Sequence, residues 1–402
     1  AVTALGITTT PSTSVISKGL KMGALTGYKV IELAGIGPAP MGGMILADMG
    51  AEVIRIERPG AADPKVAEPI SGRNKKSVVL DLKQDAGRKA LMTLIEQADA
   101  LIDPYRPGVC EKLGFGPEEC LARNPRLVFA RMTGWGQTGP LAQAAGHDLN
   151  YIAITGALHA IGRRGERPVV PLNLVGDFGG GGMLLVTGVM GGLLEAARSG
   201  QGQVIDVAMV DGTAQLMWMM QGFQQIGAWN ADEREANLLD GAAHFYDTYE
   251  CADGKYVAIG AIEPQFYAEL LARAEVTDPQ FQAQHEAAQW PELKQKLGEV
   301  LKTKTRDEWD ALMAGSDACF APVLTMVEAT AYSANTERSV YTDVEGMTHP
   351  APAPRFLRTP SQIRHGTQAL GADTVSVLKD SGMEASAIQA LLETGAAVGS
   401  ES

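Results

Sequence analysis

The sequence has few cysteines, and none stands at a spacing that binds zinc or marks a redox pair. Its four cysteines are Cys110, Cys120, Cys251 and Cys319, with no CxxC pair and no histidine placed to complete a zinc site. We therefore expect reduced thiols in an intracellular protein and no metal site built from cysteine.

Long uncharged runs are also scarce. One apolar run lies between Asp177 and Glu195 and opens with a glycine cluster. It is shorter than the ~20 apolar residues of a membrane span, so it predicts a buried core helix and no membrane insertion. A net charge of −13 disfavours binding to nucleic acid or to an anionic membrane. Any anionic ligand must then be met by a local basic patch.

Neither end of the sequence carries a strong targeting signal. The first 23 residues are rich in Ser and Thr with Lys18 and Lys21 as their only charges, which makes a weak case for a transit peptide and none for a secretory signal. The last residues differ from an SKL-type peroxisomal signal. We expect a cytoplasmic protein, with residues 1–23 as a flexible extension or a foreign remnant.

What is present is the alternating pattern of an α/β protein. Residues 28–33 are predicted as a strand, a glycine-proline loop and a helix follow, and residues 51–57 are predicted as the next strand. Similar alternation continues to about residue 208. Successive β-α-β units build a parallel sheet with right-handed crossovers, so the sequence predicts a Rossmann-like large domain.

Changes in composition divide the rest of the chain. The polar stretch 229–241 predicts a linker, and Asp253-Gly254 between two β-rich runs predicts a hairpin. We place the large domain over residues 24–228 and a smaller α+β domain over residues 229–335. A C-terminal segment, residues 336–402, is predicted to return to the large domain.

The first candidate ligand site is the loop Gly35-Ile36-Gly37, which follows a strand and precedes a helix as dinucleotide-binding glycines do. Pro40 stands where the third glycine of that motif belongs, and Arg58 directly follows Glu57 at the end of the second strand. A turn that admits some other ligand is favoured over a nicotinamide site.

Three further segments place reactive side chains at turns. His147 stands at a predicted helix start, where a histidine acts as a base or merely takes part in a cap. Asp177 precedes four glycines, which either let a ligand approach or form a turn. Glu263 ends a predicted strand. Taken separately, each segment leaves both a functional and a structural interpretation open.

Basic residues also cluster in the α/β half of this acidic chain. Such clusters indicate a phosphate-bearing ligand, with solvated surface as the alternative. The residues are Arg55, Arg58, Arg73, Lys75, Lys76, Arg106 and Lys112.

Together these segments resemble the family III CoA-transferases and, among them, the α-methylacyl-CoA racemases. The resemblance is carried by ELAGIGP at 32–38, RMTGWGQTG at 131–139, AGHDLNY at 145–151, PLNLVGDF at 171–178 and GAIEPQFY at 260–267. It implies the family III CoA-transferase fold, with a Rossmann-like CoA-binding large domain and a smaller domain in an interlocked homodimer.

The resemblance also implies roles for single residues. His147 and Asp177 would be the two proton-transfer groups, Glu263 would orient the histidine, and the Asp148 N–H would receive the thioester oxygen. The implied CoA contacts are Arg58, Leu80, Asp81, Leu82, Lys83, Pro104, Tyr105, Arg106, Lys112, Gly146, Leu149, Asn150 and Tyr151. No metal or organic cofactor is expected, since coenzyme A is part of the substrate.

These roles fit inversion of the carbon next to a thioester, because two acid/base groups on opposite faces of an enolate take one proton and deliver another. Met217, Met219 and Met220 would carry the acyl chain unless they are ordinary helix core. The alternative is a CoA transferase that uses Asp177 as a covalent nucleophile. A CoA-binding protein without catalysis is the third interpretation.

Overall fold

The structure, a computed structural model, describes residues 23–399. The predicted extension, apart from Gly23, and the last three residues of the chain lie outside this range, as do the features on which the targeting expectations rest.

The strands alternate with helices along the first half of the chain, as the sequence predicts. Within the described residues the strands are β1 (Lys29–Leu33), β2 (Glu52–Glu57), β3 (Lys75–Leu80), β4 (Ala100–Asp103), β5 (Val128–Thr133), β6 (Gln203–Ala208), β7 (Tyr246–Glu250), β8 (Tyr256–Gly260), β9 (Phe320–Pro322), β10 (Tyr341–Val344), β11 (Met347–Pro350) and β12 (Ala397–Val398).

The helices are mostly short. The α-helices of the described range are α1 (Pro38–Asp48), α2 (Pro64–Ala67), α3 (Asp85–Ile95), α4 (Val109–Leu113), α5 (Pro117–Arg123), α6 (Asp148–Ile154), α7 (Ala157–Ala160), α8 (Met183–Ser199), α9 (Met209–Leu216), α10 (Trp218–Gln225), α11 (Pro264–Arg273), α12 (Trp290–Leu301), α13 (Arg306–Met313), α14 (Met326–Ala331), α15 (Ser333–Glu337), α16 (Thr374–Asp380) and α17 (Ala385–Glu393). A π-helix spans Leu174–Gly182, and two 3₁₀ helices span Pro279–Gln282 and Ala287–Gln289.

Seven strands form the central sheet in the order β12-β3-β2-β1-β4-β5-β6. The strands from β3 to β6 are parallel, which confirms the Rossmann-like prediction. The edge strand β12 is antiparallel to β3, so the sheet is mixed where a purely parallel one was expected. Helices cover both faces, and two apolar clusters result because alternate residues of each strand face opposite sides. Ile31 and Ile54 belong to one cluster, Val30 and Val53 to the other.

A second, smaller sheet is built from β7, β8 and β9. Its first two strands form the predicted hairpin, with Tyr246 opposite Gly260 and Glu250 opposite Tyr256. A third apolar cluster, centred on Phe245, Leu297 and Trp309, packs it against α11, α12 and α13. We call this unit the small lobe and the seven-stranded unit the large lobe.

The end of the chain returns to the large lobe. Val377 and Leu378 of α16 and Ile388 of α17 join the apolar cluster on one face of the central sheet, and β12 extends that sheet. The exact domain boundaries at 228/229 and 335/336 stay a prediction.

The glycine cluster after Asp177 is helical, so the expectation of a simple turn is wrong. Gly180, Gly181 and Gly182 end the π-helix, which continues directly into α8. A Cβ added to Gly180 would lie 2.7 Å from the Thr213 nitrogen of α9. The glycines therefore bring two helical backbones together.

The apolar stretch Leu174–Ser199 is long and apolar enough to cross a membrane, yet half of its most apolar part is buried inside the protein. A core helix of a soluble fold has the same length and composition. The segment that carries Met217, Met219 and Met220 consists of two helices, α9 and α10, which meet at Met217.

Candidate active site

A cavity of about 670 Å³ opens at the carboxyl ends of the central strands. The chain order reverses between β1 and β4, and ligands of open α/β sheets bind at such a reversal. The cavity is lined by Ile36, Gly37, Pro38, Ala39, Pro104, Arg106, Met132, Thr133, Gly134, Trp135, Ala142, Ala144, Ala145, Gly146, His147, Asn150, Tyr151, Asn173, Asp177 and Met209. These residues follow β1, β4, β5 and β6, so the parallel sheet itself places the site.

His147 lies at the rim, immediately before α6, with an exposed side chain. The backbone N–H of His147 donates to Oδ1 of Asn150 over 3.1 Å, and this hydrogen bond fixes the backbone where the helix begins. The N–H of Asp148 has no acceptor among residues 23–399. A free donor in a first helical turn suits a developing negative charge on oxygen.

Asp177 projects into the cavity from the first turn of the π-helix and is half-buried. Oδ2 of Asp177 accepts a hydrogen bond of 3.2 Å from Nδ2 of Asn173. A Cβ added to Gly37 would lie 3.4 Å from the same oxygen, and Gly37 has a φ of 69°. The left-handed φ therefore favours glycine in the turn after β1, whereas the added Cβ would make only an ordinary van der Waals contact with the Asp177 carboxylate.

Several groups adjust the proton affinity of Asp177. Burial raises its pKa above the usual range and is the largest cause, while the hydrogen bond from Asn173 lowers it. The negative charge of Asp148 raises the pKa of Asp177, and His147 lowers it. A carboxyl group with a raised pKa is better able to return a proton as well as to take one.

An aromatic pair forms the floor beside His147. The rings of Trp135 and Tyr151 meet edge to face with centroids 4.7 Å apart. The Tyr151 hydroxyl donates to the Gly146 carbonyl, which holds the backbone segment that precedes His147. A Cβ on Gly134 would overlap the Tyr151 ring, so glycine is required there.

Five of the predicted CoA contacts line this cavity: Pro104, Arg106, Gly146, Asn150 and Tyr151. Arg58 lies near Tyr105. Burial raises the pKa of the Tyr105 hydroxyl to about 12, and the positive charge of Arg58 acts in the opposite direction. The others do not line the cavity: Leu80 ends β3 and Asp81, Leu82 and Lys83 follow it, Lys112 is exposed on α4, and Leu149 is exposed on α6.

Three of the basic residues predicted as a phosphate patch are structural, which corrects that expectation. Nζ of Lys75 lies 2.7 Å from Glu32, and the guanidinium of Arg73 lies 2.6 Å from Asp48, all four side chains being buried. Arg55 similarly pairs with Glu68 at 2.8 Å. Buried basic groups need carboxylate partners, and here the chain itself supplies them.

Glu263 is not brought to His147 within the chain. It is exposed, precedes α11 in the small lobe and does not line the cavity. No hydrogen bond joins Glu263 to His147 in the part of the chain that the structure describes.

Sequence reasoning missed Asn173 and the side chain of Asp148. Asn173 stands four residues before Asp177, a spacing that places two side chains on one helical face, but no local pattern indicates that a helix begins there. Between residues 23 and 399, no group of three or more His, Cys, Asp or Glu side chains is arranged to hold a metal ion.

Comparison with known proteins identifies relatives over most of the chain. The family model described as CoA-transferase family III matches residues 25–374. The chain is 46% identical to alpha-methylacyl-CoA racemase of Mus musculus over 89% of this chain and 93% of the mouse protein. It is 45% identical to the Homo sapiens protein of that name over 84% and 88% of the two chains.

Solved structures share the fold. A CAIB/BAIF family protein from Brucella suis superposes with a TM-score of 0.78 at 25% identity, covering 90% of this chain and all of the Brucella chain.

Proposed function

This chain belongs to CoA-transferase family III, and we propose that within the family it is an α-methylacyl-CoA racemase that interconverts R and S 2-methylacyl-CoA thioesters. The observation that carries the proposal is that His147 and Asp177 line one cavity, while the N–H of Asp148, the next residue after His147, has no acceptor in the described range. Racemisation needs two acid/base groups and one oxyanion donor, and all three are present.

The reaction moves one proton in each of two steps. One base takes the α-proton, the electron pair of that C–H bond forms a carbon–carbon double bond, and the carbonyl π pair moves to the thioester oxygen to give an enolate. The Asp148 N–H stabilises the oxygen, and the opposite group then protonates the same carbon. His147 and Asp177 exchange the roles of base and acid between the two enantiomers.

The CoA part of the substrate would approach from the side of β4. Arg106 and Pro104 line the cavity there, and Arg58 lies near the adjoining Tyr105. Phosphates would meet Arg58 and Arg106, two basic residues that are exposed and have no carboxylate partner within 4 Å in the described range. The other predicted contacts from β3 and α4 remain part of this proposal.

The acyl part would lie toward α10. No residue of α10 is buried, so the expectation that its methionines are helix core does not hold. Met217 and Met220 line a cavity of about 250 Å³ between α7 and α10. Flexible methionine side chains suit acyl groups of varied shape.

We further propose that the active unit is a homodimer. Large apolar side chains of α8, α10 and the residue after α10 are exposed, with Leu194 at 70%, Trp218 at 69% and Ile226 at 75%. A second copy of the chain that covered these side chains would bury apolar surface, which favours association. A second copy could also supply the Glu263 that, under this proposal, orients His147, since Glu263 does not line the cavity of its own chain.

The decisive experiment follows the α-proton in deuterated water. Purified protein is incubated with a single enantiomer of a 2-methylacyl-CoA, without metal or acyl acceptor, and chiral analysis is combined with mass spectrometry. We expect the enantiomers to equilibrate, with one solvent deuterium at the α-carbon. If CoA moves only when a free carboxylate is added, and no α-exchange occurs, the family's transferase chemistry with Asp177 as nucleophile replaces this proposal.

A further inference from the structure

The side chain of Asp148 connects the two elements that carry the proposed bases. Asp148 follows His147 in the chain and is buried, with 4% of its surface exposed. Its Oδ2 accepts a hydrogen bond of 2.7 Å from the backbone N–H of Asp177, 29 residues away. One carboxylate therefore ties the start of α6 to the first turn of the π-helix.

The packing around this contact is specific to it. A Cβ added to Gly176 would lie 2.8 Å from Oδ2 of Asp148 and 3.2 Å from Cγ2 of Ile152. Only glycine at position 176 lets the carboxylate reach the Asp177 N–H. Oδ1 of Asp148 is buried without a hydrogen-bond partner among the described residues. An unsatisfied buried oxygen is costly, which points to a role other than stability.

We infer that Asp148 is a positioning residue whose side chain sets Asp177 relative to His147, in addition to offering its backbone N–H to the substrate. This inference rests on the proposed racemase chemistry. The hydrogen bond fixes the backbone from which the Asp177 side chain projects, so its loss lets the carboxylate move relative to the α-carbon. Displacement of about 1 Å from reacting geometry costs on the order of 100-fold in rate.

The charge of Asp148 has a separate effect. A nearby negative charge favours the protonated form of Asp177 and raises its pKa. His147 is the other ionisable group that acts on it. Carboxylates on the neighbouring elements are otherwise engaged or exposed: Asp206 of β6 accepts the Gln137 N–H, Asp211 of α9 is exposed, and Glu195 of α8 pairs with Arg198.

Two substitutions separate the hydrogen bond from the charge. Asp148→Asn keeps an oxygen that accepts the Asp177 N–H but removes the charge, whereas Asp148→Ala removes both and leaves the backbone N–H. We expect Asp148→Ala to lower kcat on the order of 100-fold with KM little changed. Asp148→Asn should restore most of kcat. With the enantiomer from which Asp177 takes the proton, the acidic limb of the kcat/KM profile should move to lower pH because the pKa of Asp177 falls.

A third variant tests the contact without touching Asp148, and it serves if Asp148→Ala does not fold. Gly176→Ala should push the carboxylate away from the Asp177 N–H and lower kcat to a similar extent. In the double variant, which combines Asp148→Ala with Gly176→Ala, the added methyl group no longer meets a carboxylate. The activity of the double variant should therefore equal that of Asp148→Ala alone.

The inference is overturned if Asp148→Ala keeps the wild-type kcat, or loses only KM, or if the losses in the double variant add. It is also overturned if Asp148→Asn is as slow as Asp148→Ala and its acidic limb stays in place. Failure of the wild-type protein to racemise any 2-methylacyl-CoA would instead overturn the proposed function, so the two failures are distinguishable.

Discussion

The two proposed bases differ in their surroundings, although they share one cavity. His147 is exposed at the rim, whereas Asp177 is half-buried and its pKa is raised by burial. The two groups lie on opposite faces of the proposed enolate. When one of them is removed, we expect the remaining group to take the α-proton from one enantiomer and not from the other.

At the residue scale, His147→Ala and Asp177→Ala should each stop net inversion in both directions, because each direction needs both groups. A remaining base still takes a proton from its own face and returns one from solvent. We therefore expect deuterium to enter with retention of configuration, from one enantiomer in His147→Ala and from the other in Asp177→Ala.

The measurement is the ratio of deuterium incorporated from pure R and pure S substrates, which is insensitive to the overall loss of rate. The wild-type protein, which exchanges with inversion, is the reference. Equal preference of both variants for the same enantiomer would show that one base serves both faces.

At the scale of elements, the site depends on close packing between the π-helix and α9. Gly180 and Gly212 face each other, and a Cβ on Gly212 would overlap the Gly180 carbonyl oxygen. Because Asp177 lies in the π-helix, the position of that helix against α9 also sets the position of the carboxylate.

Gly212→Ala should destabilise the protein by about 1–3 kcal/mol, since backbone atoms cannot move aside as a flexible side chain does. Gly298→Ala in the interior of α12 is the matched control, because its added Cβ would meet only Cδ1 of Tyr249 at 3.7 Å. Its effect should be neutral or stabilising by up to about 1 kcal/mol, as alanine favours helix. Thermal unfolding of both variants tests this, and equal melting temperatures would contradict the packing argument.

At the scale of the whole molecule, the separation of Glu263 from His147 has a consequence for subunit mixing. If Glu263 of the partner orients His147, a dimer of one His147→Ala chain and one Glu263→Ala chain contains one intact site. Random pairing makes about half of the dimers mixed, so about a quarter of all sites should be restored on co-expression.

The activity of the mixed preparation is compared with that of each variant alone. Co-expression of His147→Ala with Asp177→Ala is the control, since both residues line the same cavity of one chain and no mixed dimer regains a full set. No restored activity in the first mixture would show that Glu263 does not act between subunits. Activity restored in the control would show that His147 and Asp177 of one chain do not serve the same site.

Local patterns in the sequence are enough to predict the large lobe and to identify the proposed bases. Strands such as β5, which is buried along its whole length, alternate with helices, and that alternation predicts the parallel strands from β3 to β6 but not the antiparallel edge strand β12. His147 and Asp177 follow from their motifs, because the family resemblance covers most of the chain. Even the hairpin of β7 and β8 follows from Asp253-Gly254, a signal contained in two adjacent residues.

The pairing of polar residues across the chain could be read only from the three-dimensional fold. Arg73 and Lys75 resemble ligand contacts in the sequence, yet they bind Asp48 and Glu32, which are 25 and 43 positions away. Asp148 and Asp177 are 29 positions apart, and only the packing of α6 on the π-helix brings the carboxylate to the N–H. Such pairings depend on burial and on the order of the strands, which local sequence patterns do not encode.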